Sequence, residues 1–388
     1  MRRVYLDHTA TTPLDSSVHE AMQRVYASVF GNASSIHSFG REAKTHLEES
    51  RETIAKCIGA RSEEIYFTSG GTESNNHAIH GIASNFTVSK RNHVIVSAVE
   101  HHAVLHPAES LRNMGFSVDI LPVDSTGLVN PDDVRHAITS KTCLVSIMHA
   151  NNEVGTIQPI GEIGRVARER GIIFHTDAVQ TVGKIPVTVD ELNIDLLSIS
   201  AHKMYGPKGI GAIFIRKGTK IDSLIKGGAQ ENNRRAGTQN VPQAVGFAKA
   251  VEISSQRMTD DAIHSNRLTN ILKSKIMSLG EGIFLNGHQR QSLPNIVSVS
   301  FDSAVRAIDG EALIMGMDLR GVAVTSGSAC TSGSLEPSHV LLAMGRDEKT
   351  ARATIRFSFG RSTTEDDVDY AIDALRGVLR TIEKTVTS

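Results

Sequence analysis

The fold is decided by the stretch Ile172–Gln180 (IIFHTDAVQ), in which an apolar run ends in the carboxylate of Asp177. The next apolar run, Leu196–Ser200, is followed within three residues by Lys203. Continuous Val/Ile/Leu runs are typical of strands that are buried on both faces of a mostly parallel sheet. Because ligands bind beyond the carboxyl ends of such strands, we expect Asp177 and Lys203 to lie side by side in one crevice.

Similar apolar runs recur along the first two thirds of the chain, and helix-like stretches such as Glu162–Arg170 separate most of them. This alternation predicts an α/β fold with a mostly parallel, doubly wound sheet in a large domain, residues 15–254. The candidate strands are Ile65–Thr68, Val94–Ala98, Val118–Pro122, Leu144–Met148, Ile172–Thr176, Leu196–Ser200 and Ala212–Arg216.

Two helices are expected ahead of the first of these strands. Ser17 and Glu20 fit a capping box after Pro13, which predicts a helix to about Val29. The spacing of apolar residues predicts a second helix over Arg41–Ile58.

The regular alternation of short apolar runs with helix-like stretches ends at about residue 255. This change predicts a smaller α+β domain, residues 255–388. Residues 1–14 are expected to pack with this small domain as an N-terminal segment, and residues 325–335 to form a mobile loop within it. The expected elements are a helix to Leu279, a strand Ile296–Phe301, a helix Asp309–Leu319, a strand Thr354–Ser358 and a helix from about Thr364.

Composition gives no support to several classes of function. The 388 residues carry a formal net charge of -1, which gives no electrostatic reason to expect a nucleic acid or a membrane surface as partner. No run of about 18 apolar residues indicates a membrane span, and the N-terminus lacks the apolar core of a signal peptide. Three cysteines do not make a disulfide framework, so a reducing, cytoplasmic location is expected.

The pairing of Lys203 with Asp177 suits pyridoxal 5'-phosphate. A lysine amine can bind this cofactor covalently, and a carboxylate can pair with its protonated pyridine nitrogen. His101 follows the strand Val94–Ala98 and could stack on the pyridine ring. Taken singly, each of these residues is more often an ordinary residue at a strand end.

A glycine-rich turn, Thr68–Asn75, follows the first candidate strand and opens a helix, as phosphate-binding turns do. It lacks the dinucleotide fingerprint, so a nicotinamide cofactor is not favoured. Ser200 and His202 are expected to point toward the same place and could also donate to a phosphate. No Cys/His cluster has the spacing of a zinc site.

Motifs spread over essentially the whole chain resemble those of the cysteine desulfurases in the class-V aminotransferase group, a branch of the fold-type I pyridoxal-phosphate enzymes. The motifs that carry the resemblance are Asp7–Pro13, Gly31–His37, Thr68–Asn75, His149–Glu153, His175–Gln180, Ser200–Lys203, Tyr205–Gly209, Ala236–Thr238 and Ser326–Cys330.

The resemblance implies a role for each matching residue, and it implies a homodimer because one phosphate ligand comes from the neighbouring subunit. The implied cofactor residues are Lys203 as the covalent attachment point, Asp177 on the pyridine nitrogen, Gln180 on the phenolic oxygen, His101 on the ring, Asn152 on cofactor or substrate, Gly71, Thr72, Ser200 and His202 on the phosphate, and Thr238 on the neighbour's phosphate.

For the substrate, the resemblance implies that Arg356 holds the carboxylate with help from Asn32 and Asn152. Two positions depart from the usual family pattern: His8 stands where Asn is usual, and Ala33 where Pro is usual. Both positions lie near the substrate entrance in the family, so they bear on substrate fit.

Cys330 lies in Thr325–Ser334, where the other nine residues are Thr, Ser, Gly or Ala. Such a segment has little to bury and is expected to be mobile, so its thiol could visit a buried cofactor and then a partner. The resemblance implies that Cys330 takes sulfur from L-cysteine as a persulfide and releases L-alanine. It also implies a long-loop subgroup whose acceptors include iron–sulfur scaffold proteins, with Cys330 as a possible transient cluster ligand and no other metal.

Several alternatives keep part of this interpretation. A selenocysteine lyase or a cysteine-sulfinate enzyme would share the cofactor and the catalytic residues. A transaminase would leave Cys330 incidental, and a non-catalytic assembly partner would need none of the three residues Lys203, Asp177 and Cys330. Their joint presence favours an L-cysteine desulfurase.

Overall fold

The computed structural model describes residues 2–86, 91–327 and 336–387, with side chains to residue 382. Its strands are β1 Val4–Tyr5, β2 Ile65–Thr68, β3 His93–Ser97, β4 Ser117–Leu121, β5 Thr142–Ser146, β6 Ile173–Asp177, β7 Leu196–Ser200, β8 Gly211–Ile215, β9 Ile283–Asn286, β10 Ile296–Phe301, β11 Val322–Ala323 and β12 Thr354–Ser358. Its helices are α1 Ser16–Ser28, α2 Ser38–Cys57, α3 Gly71–Phe86, α4 His102–Ser110, α5 Pro131–Ala137, α6 Ile160–Glu169, α7 Val241–Met277, α8 Gly310–Asp318, α9 His339–Ala343, α10 Glu348–Arg352 and α11 Glu365–Thr387.

The main sheet has seven strands in the order β2-β8-β7-β6-β5-β3-β4, and β8 alone runs antiparallel to both of its neighbours. Consecutive strand residues enter different hydrophobic clusters: Tyr66 and Leu196 lie in one, and Phe67 and Leu197 in the other. Since side chains alternate across a strand, helices cover both faces. The predicted mostly parallel, doubly wound sheet is therefore confirmed, and its strands agree with the predicted ones to within two residues at each end.

The first two helices begin at different residues from those predicted. The N-cap of α1 is Asp15, whose side chain accepts a hydrogen bond from Ser17 N at 2.9 Å, so the predicted capping box at Ser17 is wrong. Asp is as good a cap as Ser and lies closer to the preceding proline. Helix α2 begins at Ser38 because the ring of His37 caps it by accepting from Gly40 N.

Helix α7 joins the two largest hydrophobic clusters. Its first half contributes Phe247 and Val251 to the cluster beneath the main sheet, and its second half contributes Leu272 and Ile276 to a second cluster. That second cluster also holds α11 and the antiparallel sheet β12-β10-β9. The predicted boundary at residue 254 falls inside this continuous helix, and the division into domains stays a prediction.

The N-terminal strand lies on the second cluster. Strand β1 pairs in parallel with β11, and Leu6 is fully buried among residues of that cluster. The chain then turns back toward the main sheet, where Thr12 N donates to His202 O at 3.0 Å. Residues 7–12 therefore lie between the two clusters, next to the carboxyl ends of β6 and β7.

A buried ion pair fixes strand β2, which leads into the glycine-rich turn. Arg51 on α2 donates to both carboxylate oxygens of Glu231, at 2.7 and 2.9 Å. The same carboxylate accepts from Phe67 N, and Arg51 donates to Ile65 O. Because both charges are almost completely buried, each needs the other for its stability. In the described part of the chain, none of the helices combines the length and apolar character that crossing a membrane requires.

Candidate functional site

The centre of the site is the pair Asp177 and Lys203, at the ends of two adjacent strands of the main sheet. Asp177 ends β6, and Lys203 ends a short 3-10 turn, Ala201–Lys203, that directly follows the neighbouring strand β7. The Asp177 carboxylate is buried and accepts from Asn75 Nδ2 at 2.6 Å and from Val179 N at 3.0 Å. The structure thus places the carboxylate and the amine at the carboxyl ends of two adjacent central strands. Asn75 supports the carboxylate and was not predicted from the sequence.

The Lys203 ammonium donates to two backbone carbonyl groups of the N-terminal segment, Thr9 O at 2.5 Å and Ala10 O at 2.8 Å. Burial, and then the nearby charge of Arg356, lower the pKa of Lys203 to about 8, while Asp177 and Asp7 act in the opposite direction. A lysine amine that loses its proton near neutral pH is a competent nucleophile and base. The two carbonyl groups were not predicted, because a backbone acceptor leaves no signal in the sequence.

Gln180 lies three residues beyond Asp177, and its Nε2 also donates to Thr9 O, at 3.0 Å. The amide oxygen of Gln180 accepts from Lys184 Nζ at 3.0 Å. Burial, followed by the charges of Lys203 and Arg356, lowers the pKa of Lys184 to about 7. Lys184 was not predicted as a site residue, since a lysine at a loop end is usually an ordinary surface residue.

A cavity of about 330 Å³ opens at the N-terminus of α3 and is lined by His202, the residue before Lys203. A Cβ added to Gly71 would lie 2.7 Å from Val179 Cγ2, so the close approach of this turn to the sheet requires glycine. Thr11 and Lys208 also line the cavity and were not predicted. Its other lining residues are Ser69, Gly70, Gly71, Thr72, Glu73, Ser200, His202 and Gly209, which include all four predicted phosphate residues of the same chain.

His202 contributes a neutral donor to this cavity. Burial, followed by the charges of Lys203 and Lys208, lowers its pKa to about 4, and its Nδ1 lies 3.1 Å from Thr11 Oγ1. The N-terminus of α3 adds backbone N–H groups and a positive dipole end. Thr238 is exposed and does not line the cavity of its own chain. The cavity therefore offers donors and positive potential to an anion of the size of a phosphate.

His101 caps helix α4: its Nδ1 accepts from Ala103 N at 3.0 Å, which leaves Nε2 to carry a proton. Although part of the His101 ring is exposed, the loss of water on its covered side lowers its pKa, and the charge of Asp177 acts in the opposite direction. Directly before it, Glu100 is fully buried, and its Oε1 accepts from Ser97 Oγ and Met148 N. Burial raises the pKa of Glu100 to about 8, so this carboxyl is largely protonated at neutral pH.

Arg356 on β12 is 3% exposed and faces the same region from the second cluster. Its guanidinium donates to Asn152 O at 2.7 Å and to Asp7 Oδ1 at 2.8 Å. Its Nε is buried, and no described residue accepts a hydrogen bond from it. By contrast Asn32 is exposed, its Oδ1 accepts from Ser34 N, and no described hydrogen bond joins it to Arg356.

The two unusual residues near the predicted entrance are both buried. The ring of His8 lies edge-on to Tyr5, with centroids 4.9 Å apart, and fills the space beside Gly360. A Cβ added to Gly360 would lie 2.2 Å from His8 Cε1, so an imidazole fits here because residue 360 is glycine. Burial lowers the pKa of His8 to about 4, which keeps the ring neutral. Ala33 is 9% exposed.

The predicted cysteine, Cys330, lies in Ser328–Leu335, outside the described residues. The described residues on either side meet at one buried carboxyl group: Ser338 Oγ donates to Glu153 Oε2 at 2.5 Å, and a Cβ added to Gly327 would lie 3.0 Å from that same oxygen. Among the residues that the structure describes, no group of three or more His, Cys, Asp or Glu could hold a metal ion.

These groups fit pyridoxal 5'-phosphate. An amine of lowered pKa, a buried carboxylate held by Asn75, and a cavity rich in donors match the aldehyde, the pyridine nitrogen and the phosphate of that cofactor. The fit rests on the carboxyl ends of β6 and β7 and on the N-terminus of α3.

Comparison with known proteins gives the same family. The model of the family "Aminotransferase class-V" matches residues 4–371. The chain is 53% identical to cysteine desulfurase IscS of Dictyoglomus turgidum, over 100% of this chain and 96% of the relative, and 47% identical to cysteine desulfurase IscS of Methanosarcina thermophila, over 98% and 92%.

Two solved structures are similar over almost their whole length. A NifS-like protein superposes with a TM-score of 0.91 at 40% identity, covering 98% of this chain and 100% of that one. SspA in complex with cysteine superposes with a TM-score of 0.80 at 37% identity, covering 92% and 98%. Class-V aminotransferases and cysteine desulfurases are pyridoxal-phosphate enzymes of fold-type I. Motifs, sheet order and relatives therefore agree that the chain belongs to the cysteine desulfurases of the class-V aminotransferase family.

Proposed function

We propose that this protein binds pyridoxal 5'-phosphate on Lys203, converts L-cysteine to L-alanine, and carries the sulfur as a persulfide on Cys330 to an acceptor protein. The observation that carries the proposal is the partly buried Lys203 amine of lowered pKa, which follows the strand next to that of Asp177, together with the donor-lined cavity at the N-terminus of α3. Relatives named cysteine desulfurase IscS, and a neighbour solved in complex with cysteine, support L-cysteine as the substrate.

The cofactor would be held by groups at the carboxyl ends of central strands of the main sheet and at the N-terminus of α3. When bound, it supplies an electron sink for negative charge at the α-carbon of an amino acid. Asp177 keeps the positive charge of the pyridine nitrogen favourable, and Asn75 holds that carboxylate in place at 2.6 Å. The phosphate would take donors from Gly71, Thr72, Ser200 and His202.

Further contacts would come from His101 against the ring and from Gln180 on the phenolic oxygen. Thr238 is exposed on its own subunit, as a residue must be if it completes the phosphate site of a partner in a homodimer. The homodimer and the reach of Thr238 are part of the proposal.

The substrate carboxylate would bind to Arg356. Asp7 and Asn152 O hold two of its nitrogens, and the buried Nε remains available as a donor. This hold orients the plane of the guanidinium, and a charged donor in a buried site binds a carboxylate strongly. Lys203, once its amine is free, lies where it can take and return a proton at the α-carbon. No described hydrogen bond joins Asn32 to Arg356, so the help of Asn32 in binding the carboxylate stays a prediction.

Sulfur transfer is the step assigned to Cys330. Its thiolate attacks the sulfur of the bound L-cysteine, and a sulfur–sulfur bond forms while the carbon–sulfur bond breaks. The electron pair of the broken bond stays on the substrate carbon, which takes up a proton, so L-cysteine and one thiol give L-alanine and one persulfide. An iron–sulfur scaffold is the proposed acceptor, and transient ligation of a cluster by Cys330 and a cytoplasmic location stay predictions.

The experiment that tests this function measures L-alanine formed from L-cysteine in the presence of a reductant. Native protein is compared with Cys330→Ser and with Cys57→Ser, a control at a half-buried cysteine that lies 3.2 Å from Ser255 Oγ. We expect native protein and the control to form alanine, and Cys330→Ser to form none while still turning yellow with the cofactor. Full turnover by Cys330→Ser, or by Lys203→Ala, would contradict the proposal.

A further inference from the structure

Lys184 is a partly buried lysine whose role the proposed mechanism leaves open. Its Nζ donates to Gln180 Oε1 at 3.0 Å, and among the described residues no carboxylate lies within ion-pair distance of it. It also lines a small cavity of about 40 Å³ that reaches Lys203. Burying an ammonium group without a counter-ion is costly, and the contacts of Lys184 are not those of a structural ion pair.

The contact restricts Gln180 to one of its two amide orientations. A side-chain amide presents an acceptor on one side and a donor on the other, whereas an ammonium group only donates. In its ammonium form Lys184 therefore requires the oxygen of Gln180 on its own side, as the contact between Lys184 Nζ and Gln180 Oε1 shows. The nitrogen is left pointing the other way, where it donates to Thr9 O at 3.0 Å.

The acceptor on that side is shared with the key amine of the site. Lys203 Nζ donates to the same Thr9 O, at 2.5 Å. Two donors, an amide nitrogen and the reactive amine, thus converge on one oxygen. An amide in the opposite orientation would place its oxygen against Thr9 O, and the repulsion between the two acceptors would remove this arrangement.

We propose that Lys184 is a positioning residue that locks the amide of Gln180 with its nitrogen toward the reactive amine of Lys203. The inference rests on the proposed function, in which Gln180 donates to the phenolic oxygen of the bound cofactor. Lys184 would act through Gln180, by fixing which atom of the amide faces the cofactor.

The test uses the visible absorbance of the protein with pyridoxal 5'-phosphate bound and no substrate present. A hydrogen bond donated to the phenolic oxygen stabilises the negative charge on that oxygen. Loss of this hydrogen bond leaves more negative charge beside the Lys203 nitrogen that is bonded to the cofactor, so this nitrogen keeps its proton to higher pH.

The variants test the donor on Lys184. Lys184→Met removes the donor and keeps the carbon chain, and Lys184→Arg restores a cation. Lys273→Met is the matched control, because Lys273 is also partly buried, its pKa is lowered by burial, and it lies in the second half of α7.

We expect the pH midpoint of the visible band to rise by about one unit in Lys184→Met, and to stay near the native value in Lys184→Arg and Lys273→Met. Gln180→Leu should raise the midpoint as well. The double variant of Lys184 and Gln180 should shift no further than the larger single change, because both remove one hydrogen bond.

An unchanged midpoint in Lys184→Met, or shifts that add in the double variant, would overturn the inference. Alanine formation by native protein is measured separately, so a protein that turns yellow but makes no alanine defeats the proposed function alone. A native protein that takes up no pyridoxal 5'-phosphate defeats both, and is recognised by its lack of colour.

Discussion

The buried carboxyl group of Glu100 makes the stability of this protein depend on pH in a way that one substitution should abolish. Glu100 is fully buried beside the site, its Oε1 accepts two hydrogen bonds, and no residue that the structure describes bonds to its Oε2. Glu100→Gln keeps the shape of the side chain and removes its titration. The Gln oxygen can accept from the same Ser97 and Met148 donors.

The size and sign of the effect follow from the two pKa values. Burial raises the pKa of Glu100 to about 8 in the folded protein, whereas a glutamate in an unfolded chain titrates near about 4.3. Between these values the folded state holds a proton that the unfolded state has released. The free energy of unfolding therefore falls as pH rises, by about 1.4 kcal/mol per unit at most. From pH about 5.5 to about 8.5 this one group removes about 3 kcal/mol.

Urea unfolding of native protein and Glu100→Gln at pH values across this range measures the effect. The difference between the two proteins isolates Glu100 from the lysines and histidines that also titrate. We expect the variant to gain about 3 kcal/mol relative to native protein from pH about 5.5 to about 8.5. Glu109→Gln, at an exposed glutamate on α4, should follow the native curve. A constant difference between native protein and Glu100→Gln over the whole range would refute the argument.

Three further substitutions test other contacts. Arg356→Lys loses the planar guanidinium that Asp7 and Asn152 hold. The kcat/KM for L-cysteine in steady-state kinetics should therefore fall about 10-fold to 100-fold. An unchanged value would contradict the proposal that Arg356 binds the substrate carboxylate. Glu231→Gln leaves the buried guanidinium of Arg51 with half-exposed Glu48 as its remaining charged partner. It should cost about 3 kcal/mol in urea unfolding, and a loss below about 1 kcal/mol would contradict a stabilising buried pair. Gly71→Ala places a Cβ 2.7 Å from Val179 Cγ2 and should weaken cofactor binding about 10-fold in equilibrium dialysis; unchanged affinity would mean that the turn is not the phosphate site.

Local patterns were enough to predict most of the architecture. Apolar runs such as Leu196–Ser200 have the length and composition of a buried strand, and the structure has that strand with the same bounds. The start of α1 was placed incorrectly, because Asp15 and Ser17 are both good caps and their sequence alone does not rank them. Predicted ends of strands such as β5 differ by up to two residues, since hydrogen-bonded pairing extends into polar neighbours such as Thr142.

By itself, the sequence determined the family, the mostly parallel sheet, and the placing of Asp177 and Lys203 at the ends of adjacent strands. All of these depend on motifs and periodicities within about 30 residues, which a linear pattern records. Only the tertiary structure decided which groups surround that pair. Thr9 O meets Lys203 Nζ across 194 positions, and Asp7 meets Arg356 across 349. Contacts of this kind arise when the N-terminal segment is held between two separately packed clusters, and backbone acceptors or a lysine such as Lys184 carry no local sign of the partner they will meet.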